Sequence, residues 1–112
     1  MEVAILRTQR FANEVKPDAQ ARIIEYALKH LDARTDMVVF YPYTIPTHYE
    51  DDGRTLVTYD HGLEEFQKVY AILSDLGDPS EWDELYEKEV AEELRRAPNC
   101  RFVVTFMLAD EY

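Results

Sequence analysis

The side chains best suited to acid–base chemistry lie at the end of a predicted strand. Tyr59, Asp60 and His61 close the apolar run that begins at Arg54, and Gly62 breaks it. Such a junction commonly faces a pocket, and histidine titrates near neutral pH. We therefore predict catalytic roles for His61, for Tyr59 and for His48, which lies in an acidic loop. The alternatives are a helix-start residue for His61 and a flexible polar loop for His48.

Tyrosines form a second group with a possible role in binding. Tyr41, Tyr43 and Tyr59 alternate within two predicted strands, so they can line one face of a sheet. We predict that Tyr41, Tyr43 and Trp82 bind an apolar or aromatic substrate, with phenols donating hydrogen bonds. Packing at a dimer interface is the alternative for the tyrosines, and burial in a core or interface is the alternative for Trp82.

The negative charge of the chain lies entirely in its second half. Residues 1–49 carry six acidic and six basic residues, whereas residues 50–112 carry 17 acidic and six basic ones, which accounts for the net charge of −11. This charge repels phosphates, so we expect no direct nucleic-acid binding. A solubilising surface is one interpretation. The other is a surface that binds a basic partner, formed by Glu50, Asp51, Asp52, Glu84, Glu87 and Glu92.

Length and composition limit the domain organisation, the location and the cofactors that we expect. We expect a single domain over residues 1–112, and the lone Cys100 excludes an internal disulfide. There is no apolar run of membrane-spanning length and no signal peptide, so we expect a cytoplasmic protein that does not contact a membrane. The sequence has no glycine-rich phosphate loop and no metal-ligand spacing, so we expect no cofactor and no metal.

Hydrophobic periodicity predicts the strands and helices that carry these residues. Val3–Thr8 predicts a strand, or alternatively a helix that reaches Asn13. A helix with Pro17 in its first turn follows. Met37–Thr44 predicts a strand, at a sheet edge because Pro42 cannot donate a ladder hydrogen bond. A wide hairpin then leads to a strand over Arg54–Asp60.

The second half predicts two helices and a last strand. Apolar residues from Leu63 to Leu76 recur at helical spacing until Gly77. Asp78 is the expected N-cap of the next helix, with Pro79 in its first turn. Cys100–Ala109 predicts a strand that is apolar on both faces and must be covered on both sides.

The order of elements predicts an α+β fold. Merging the two acidic helices into one split helix gives βαββαβ, the ferredoxin-like plan with a four-stranded antiparallel sheet. That plan leaves one apolar sheet face without helices, and the simplest way to cover it is a homodimer. A partner protein, or the split helices wrapping around the sheet, are the alternatives.

Two blocks of the chain resemble a known superfamily. FANEVKPDAQARIIEYALK is similar to the strand-to-helix junction of the dimeric α+β barrel proteins, and LVTYDHGLEEFQKVYAILSDLGDPSEWDEL is similar to their third strand and split second helix. The nearest branches are the antibiotic-biosynthesis monooxygenase-like and NIPSNAP-like proteins. The resemblance implies a dimer with a ligand cavity and cofactor-independent oxidation, cyclisation or isomerisation. Haem breakdown, found in one branch, does not fit, because Val3–Arg10 lacks the branch's asparagine.

Two functional hypotheses follow. The first is a small homodimeric α+β barrel that binds an apolar or aromatic metabolite, with catalysis as a further function that the resemblance implies. The second is an acidic, non-enzymatic interaction or inhibitor protein, of the nucleic-acid-mimic or anti-defence type, that docks on a basic surface. An RNA-binding ferredoxin-like domain is a third reading, against which the negative charge argues.

Overall fold

Six strands form one mixed sheet. The computed structural model describes residues 2–112. The strands are β1 (Val3–Arg7), β2 (Met37–Tyr41), β3 (His48–Tyr49), β4 (Thr55–Tyr59), β5 (Val69–Asp75) and β6 (Phe102–Leu108). They lie in the order β1–β6–β5–β2–β4–β3. The pairs β1–β6 and β2–β4 are parallel, and the other three are antiparallel.

Four α-helices accompany the sheet. They are α1 (Gln9–Glu14), α2 (Pro17–His30), α3 (Trp82–Leu85) and α4 (Lys88–Arg96), and 3₁₀ turns cover Pro79–Glu81 and Ala109–Glu111. The Thr8 hydroxyl accepts a hydrogen bond from Phe11 N and so caps α1. Pro17 opens α2, as predicted, since the first helical turn needs no N–H from it. Asp78 caps the 3₁₀ turn before α3 by accepting from Ser80 N.

The main core lies between α1–α2 and one face of the sheet. Four of its side chains are fully buried: Phe11 and Ile23 of the helices, and Val38 and Phe106 of the strands. The shortest dimension of the chain is 22 Å, which matches two layers about 10 Å apart. The sheet therefore has a helix-covered face, packed on α1 and α2, and an opposite face.

The predicted ferredoxin-like fold is wrong. The chain is α+β, but its sheet has six strands with parallel and antiparallel pairs instead of four antiparallel strands. The main cause is the segment predicted as a helix over residues 63–76, which contains β5 in the middle of the sheet. Val69 and Ala71 face the core, whereas Tyr70 and Ile72 alternate with them. A short apolar run of this kind fits both the helical and the strand periodicity, and its burial in the middle of the sheet favours the strand.

The predicted wide hairpin is also wrong, because β2 and β4 run parallel. The two-residue strand β3 reverses the chain between them and pairs antiparallel with β4 through a turn that includes Gly53 at φ +69°. Pro42 lies just beyond β2, so β2 keeps its ladder and sits between β5 and β4 instead of at an edge.

Other predictions are confirmed. The helix after Pro17 and the strand before Ala109 form where expected, and Asp78 is an N-cap. The strand predicted over Val3–Thr8 is confirmed as β1, and the alternative helix is wrong for these residues, since α1 begins only at Gln9. The predicted helix after Asp78 is interrupted at Tyr86 and Glu87, between α3 and α4. Within residues 2–112, no helix has the length and apolarity required to cross a membrane.

Candidate functional site

A groove of about 350 Å³ lies between α2 and the end of β4. It contains Tyr59 and His61, two of the three predicted catalytic residues. The full lining is Arg22, Glu25, Tyr26, Lys29, Phe40, Thr58, Tyr59, Asp60 and His61. Asp60 donates its backbone N–H to Tyr41 O at the end of β4, and its carbonyl oxygen then accepts from Leu63 N in the turn that leaves the sheet.

A charged pair forms one side of this groove. Arg22 Nε donates to Asp60 Oδ2 at 3.2 Å, and Arg22 Nη2 donates to Asp60 Oδ1 at 3.1 Å. Asp60 is only 6% exposed, and Gly62 N also donates to its Oδ1. The hydrogen bond with Asp60 raises the pKa of Arg22, so the guanidinium stays protonated. The pair fixes the Tyr59–His61 corner to the middle of α2.

Aromatic side chains form the floor of the groove. The rings of Tyr26 and Phe40 meet edge to face at 5.8 Å, and Tyr26 also stacks on His30 at 4.2 Å. Phe40 is buried. Lys29 brings an ammonium group to the rim. The lining also contains the carboxylate of Glu25. The apolar floor suits a small aromatic molecule, and the Lys29 ammonium is the group that can pair with a negative charge on it.

His48 does not line this groove. It is on the edge strand β3, opposite Val57, whose side chain points to the face opposite α2. Its Nδ1 is 2.7 Å from the carbonyl oxygen of Pro46. The groove therefore includes His61 but not His48. Tyr59 borders the groove at the end of β4, but its register beside Tyr41 directs its side chain to the face opposite α2.

The predicted substrate-binding residues are also dispersed. Tyr41 and Tyr43 contact each other at 5.1 Å on the other side of the sheet, where Lys68 Nζ lies 4.7 Å from the Tyr41 ring. Trp82 is fully buried, and its Nε1 donates to the carbonyl oxygens of Leu76 and Gly77. Trp82 therefore holds the turn before α3, and neither it nor the two tyrosines line the groove.

The predicted partner-binding residues, by contrast, gather at one end of the sheet. The registers place the first residues of β2, β4 and β6 beside the last residues of β5. Segments 32–36, 50–54 and 75–101 connect there, and we call them the acidic end. They hold 14 acidic and six basic residues, hence −8 of the net charge of −11.

Several carboxylates of the acidic end are free to act on a partner. Glu50, Asp51, Glu84, Glu87 and Glu92 are exposed, and within residues 2–112 none of them forms an ion pair. Asp52 differs, because its carboxylate accepts hydrogen bonds from Arg54 N and from Thr55 N and Oγ1. It maintains the turn before β4.

Apolar side chains are exposed among these carboxylates. Leu85 is 55% exposed and Val90 is 40% exposed. Protein interfaces combine apolar contacts at the centre with charged groups at the rim. The acidic end thus has both components of a docking surface.

Sequence reasoning missed the α2 side of the groove. Arg22, Tyr26 and Lys29 are spaced i, i+4 and i+7, which places them on one helix face. That spacing was the available signal, but polar residues on an amphipathic helix normally face solvent. Only the position of α2 over the end of β4 turns them into groove residues.

Comparison with models of known protein families, with curated proteins and with solved structures finds no match for this chain. The resemblance to dimeric α+β barrel proteins therefore stays a prediction about ancestry, while the fold that it implied is not the fold observed. Among the described residues, no group of three or more histidine, cysteine or acidic side chains is placed to hold a metal ion. The homodimer stays a prediction as well.

Proposed function

We propose that this protein binds a basic protein surface through its acidic end. The observation that carries the proposal is the convergence of segments 32–36, 50–54 and 75–101, which concentrates −8 at one end while the rest of the chain holds −3. An asymmetric charge of this size steers a basic partner to one end and raises the association rate.

The exposed apolar residues distinguish docking from mere solubilisation. A solubilising surface needs charge alone, whereas Leu85 and Val90 add apolar contact area in the middle of the carboxylates. Within residues 2–112, only two acidic residues of segment 75–101 form ion pairs: Asp75 with Arg101 and Asp83 with Arg95. Apart from Asp78, whose carboxylate accepts from Ser80, the remaining carboxylates are available to lysine and arginine side chains of a partner.

The test uses a short, fluorescent, lysine-rich peptide as the probe. Its binding is measured by fluorescence anisotropy at about 50 and about 300 mM NaCl, between which screening weakens exposed charge pairs. The comparison is between two triple variants. The acidic-end variant carries Glu84→Lys, Glu87→Lys and Glu92→Lys. The control carries Glu14→Lys, Glu64→Lys and Glu65→Lys at the other end of the sheet.

Both triple variants change the net charge equally. The control also removes the ion pairs Glu14–Arg10 and Glu64–Lys16, so thermal melting first verifies that it folds, and the difference in binding then reports position. We expect the acidic-end variant to weaken binding by about tenfold or more, the control by about threefold or less, and salt to weaken the wild type. Equal losses in the two variants would mean that only net charge matters, and the proposal would be wrong.

A second candidate function is binding of a small aromatic anion in the groove. The supporting observation is the combination of the Tyr26–Phe40 floor, Lys29 at the rim and His61. If the groove also catalyses a reaction, His61 is the group placed to move a proton. The cofactor-independent chemistry implied by the resemblance stays a prediction.

Titration with benzoate, followed by amide chemical shifts, tests this candidate. We expect changes around His61 and Lys29, and weaker binding in Lys29→Gln. Lys16→Gln is the matched control, because Lys16 lies outside the groove and pairs with Glu64. Shifts that are spread over the surface, or equal effects of the two variants, would exclude a specific groove ligand of this class.

A further inference from the structure

A second concave site, with a volume of about 320 Å³, lies on the helix-covered face beside the last turn of α2, and we call it the apolar pocket. Leu28 and Leu31 form its helix side, and its base is formed by Val3, Leu73 and Val104 of three neighbouring strands. All five lining side chains are apolar. Leu31 and Val104 are buried, whereas Leu28 is 39% exposed and the other two are partly buried, so the pocket opens to solvent.

The apolar pocket borders the acidic end. The backbone N–H of Leu73 donates to Asp36 O at 2.8 Å, in the first of the three segments that form the acidic end. Next to Val3, the carbonyl oxygen of Glu2 accepts a hydrogen bond of 3.5 Å from Cys100 Sγ, in the last of those segments. A molecule that contacts the acidic end can therefore reach the pocket as well.

The free charges beside the pocket are acidic. Glu2 lies at the start of β1, and Glu25, which also lines the groove beside β4, lies one turn before Leu28 on α2. Both carboxylates are exposed, and within residues 2–112 neither forms an ion pair. The basic residues in the last turn of α2 lie toward the groove instead, because Lys29 lines it and His30 stacks on its aromatic floor.

We propose that the apolar pocket holds one large apolar side chain, such as leucine or phenylalanine, of a basic partner segment whose lysine and arginine residues pair with the acidic end. This inference rests on the proposed function and specifies the chemistry of the partner. Charge selects this occupant. A second copy of net charge −11 would bring carboxylates together beside the pocket, and a neutral small molecule would leave them without partners. Apolar anchors in pockets with a polar rim are typical of protein interfaces.

The anchor and the charges respond differently to salt. Salt screens the pairs between exposed carboxylates and lysine side chains, so their contribution to binding falls as the salt concentration rises. Burial of an apolar side chain does not depend on charge, and a leucine that enters the pocket should lower the dissociation constant by about tenfold. The two contributions can therefore be measured separately.

Two fluorescent, lysine-rich peptides of equal length and charge test the proposal by fluorescence anisotropy. One carries a central leucine and the other carries serine in its place. We expect the leucine peptide to bind the wild type about tenfold more tightly at both about 50 and about 300 mM NaCl. Equal affinities would overturn the pocket and leave the proposed function intact. Tight binding of the leucine peptide that the acidic-end triple variant does not weaken would do the reverse, and no binding of either peptide would overturn both.

Leu28→Ser and Leu6→Ser are the matched pair of variants. The two leucines are 39% and 46% exposed, but Leu6 does not line the pocket and lies on the other face of β1. We expect Leu28→Ser to reduce the advantage of the leucine peptide to about twofold or less, and Leu6→Ser to leave it at about tenfold. Equal effects of the two variants would overturn the pocket. Thermal melting verifies that both variants fold.

Methyl chemical shifts of the wild type locate the anchor without any substitution. The leucine peptide, but not the serine peptide, should shift the methyl signals of Leu28, Leu31 and Leu73. Shifts centred on Leu85 and Val90 would place the anchor on α3 and α4 and would overturn the pocket. A dimer in sedimentation equilibrium that Leu28→Ser dissociates would identify a second copy as the occupant and would overturn the proposal as well.

Discussion

The guanidinium of Arg22 and the carboxylate of Asp60 join two distant parts of the chain by two hydrogen bonds of 3.1 and 3.2 Å. The two partners differ in exposure. The side chain of Asp60 is 9% exposed, whereas that of Arg22 is 36% exposed and also approaches Asp18 at 3.7 Å. Removal of one partner therefore has a different effect from removal of the other.

We expect Arg22→Ala to destabilise the protein more than Asp60→Asn. Loss of Arg22 leaves a buried carboxylate without its counterion, whereas loss of the Asp60 charge leaves a guanidinium that water still reaches. The melting temperature should fall by on the order of 10 °C in Arg22→Ala and by about half of that in Asp60→Asn. Thermal unfolding followed by circular dichroism measures both, and the reverse order would contradict this account.

Gly62 allows the close approach of α2 to the end of β4. A Cβ at this position would meet the Arg22 guanidinium and would lie 2.8 Å from Ala19 Cβ. We therefore expect Gly62→Ala to reduce the free energy of unfolding by about 1–3 kcal/mol. In a double variant with Arg22→Ala the loss should be smaller, because one of the two clashes is gone. Additive effects in urea denaturation would show that the clash with Arg22 is unimportant.

Phe66 and Phe106 test the corrected assignment of the segment before Gly77. The helix predicted over residues 63–76 would bury Phe66, but in the structure it is 79% exposed, whereas Phe106 is 0% exposed. We expect Phe106→Ala to reduce the free energy of unfolding by about 3–5 kcal/mol. Phe66→Ala should change it by about 0.5 kcal/mol or less. A large loss of stability in Phe66→Ala would support the predicted helix over residues 63–76 and contradict the strand β5.

Elements with one unambiguous period were predictable from the sequence. The stripe of α2, with Ile23 and Ala27 four residues apart, fits a helix alone, and a proline marks its start. β6 is rich in β-branched and aromatic residues, and Pro98 and Asn99 precede it. β5 was not predictable in the same way. Both strands are apolar on both faces, but the apolar residues around β5 also recur at helical spacing from Leu63 to Leu76.

The parallel pairing of β2 and β4 was hidden by the shortness of β3. A strand of two residues leaves no hydrophobic pattern, so two neighbouring strands joined by a loop predict a hairpin. For the site, only residues that are close in the sequence, such as Tyr59 and His61, could be predicted to lie together. Arg22 and Lys29 come from another element, and their place in the groove follows from tertiary packing.

Acid should destabilise the turn before β4. The hydrogen bond from the backbone N–H of Arg54, followed by those from Thr55, lowers the pKa of Asp52 below its usual value of 3.8. A carboxylate whose pKa is lower in the folded chain than in the unfolded chain stabilises the fold fully above the unfolded value. That stabilisation disappears as the pH falls through the lower, folded value.

We therefore expect the melting temperature of the wild type to fall between about pH 5 and pH 2, and the fall to be shallower in Asp52→Asn. Asparagine keeps an oxygen acceptor for Arg54 N but has no proton to take up in this range. Asp51→Asn is the matched control, since the neighbouring Asp51 is exposed and carries no such hydrogen bonds in the described chain. If Asp51→Asn flattens the pH dependence as much as Asp52→Asn, the stabilisation does not come from the Asp52 turn.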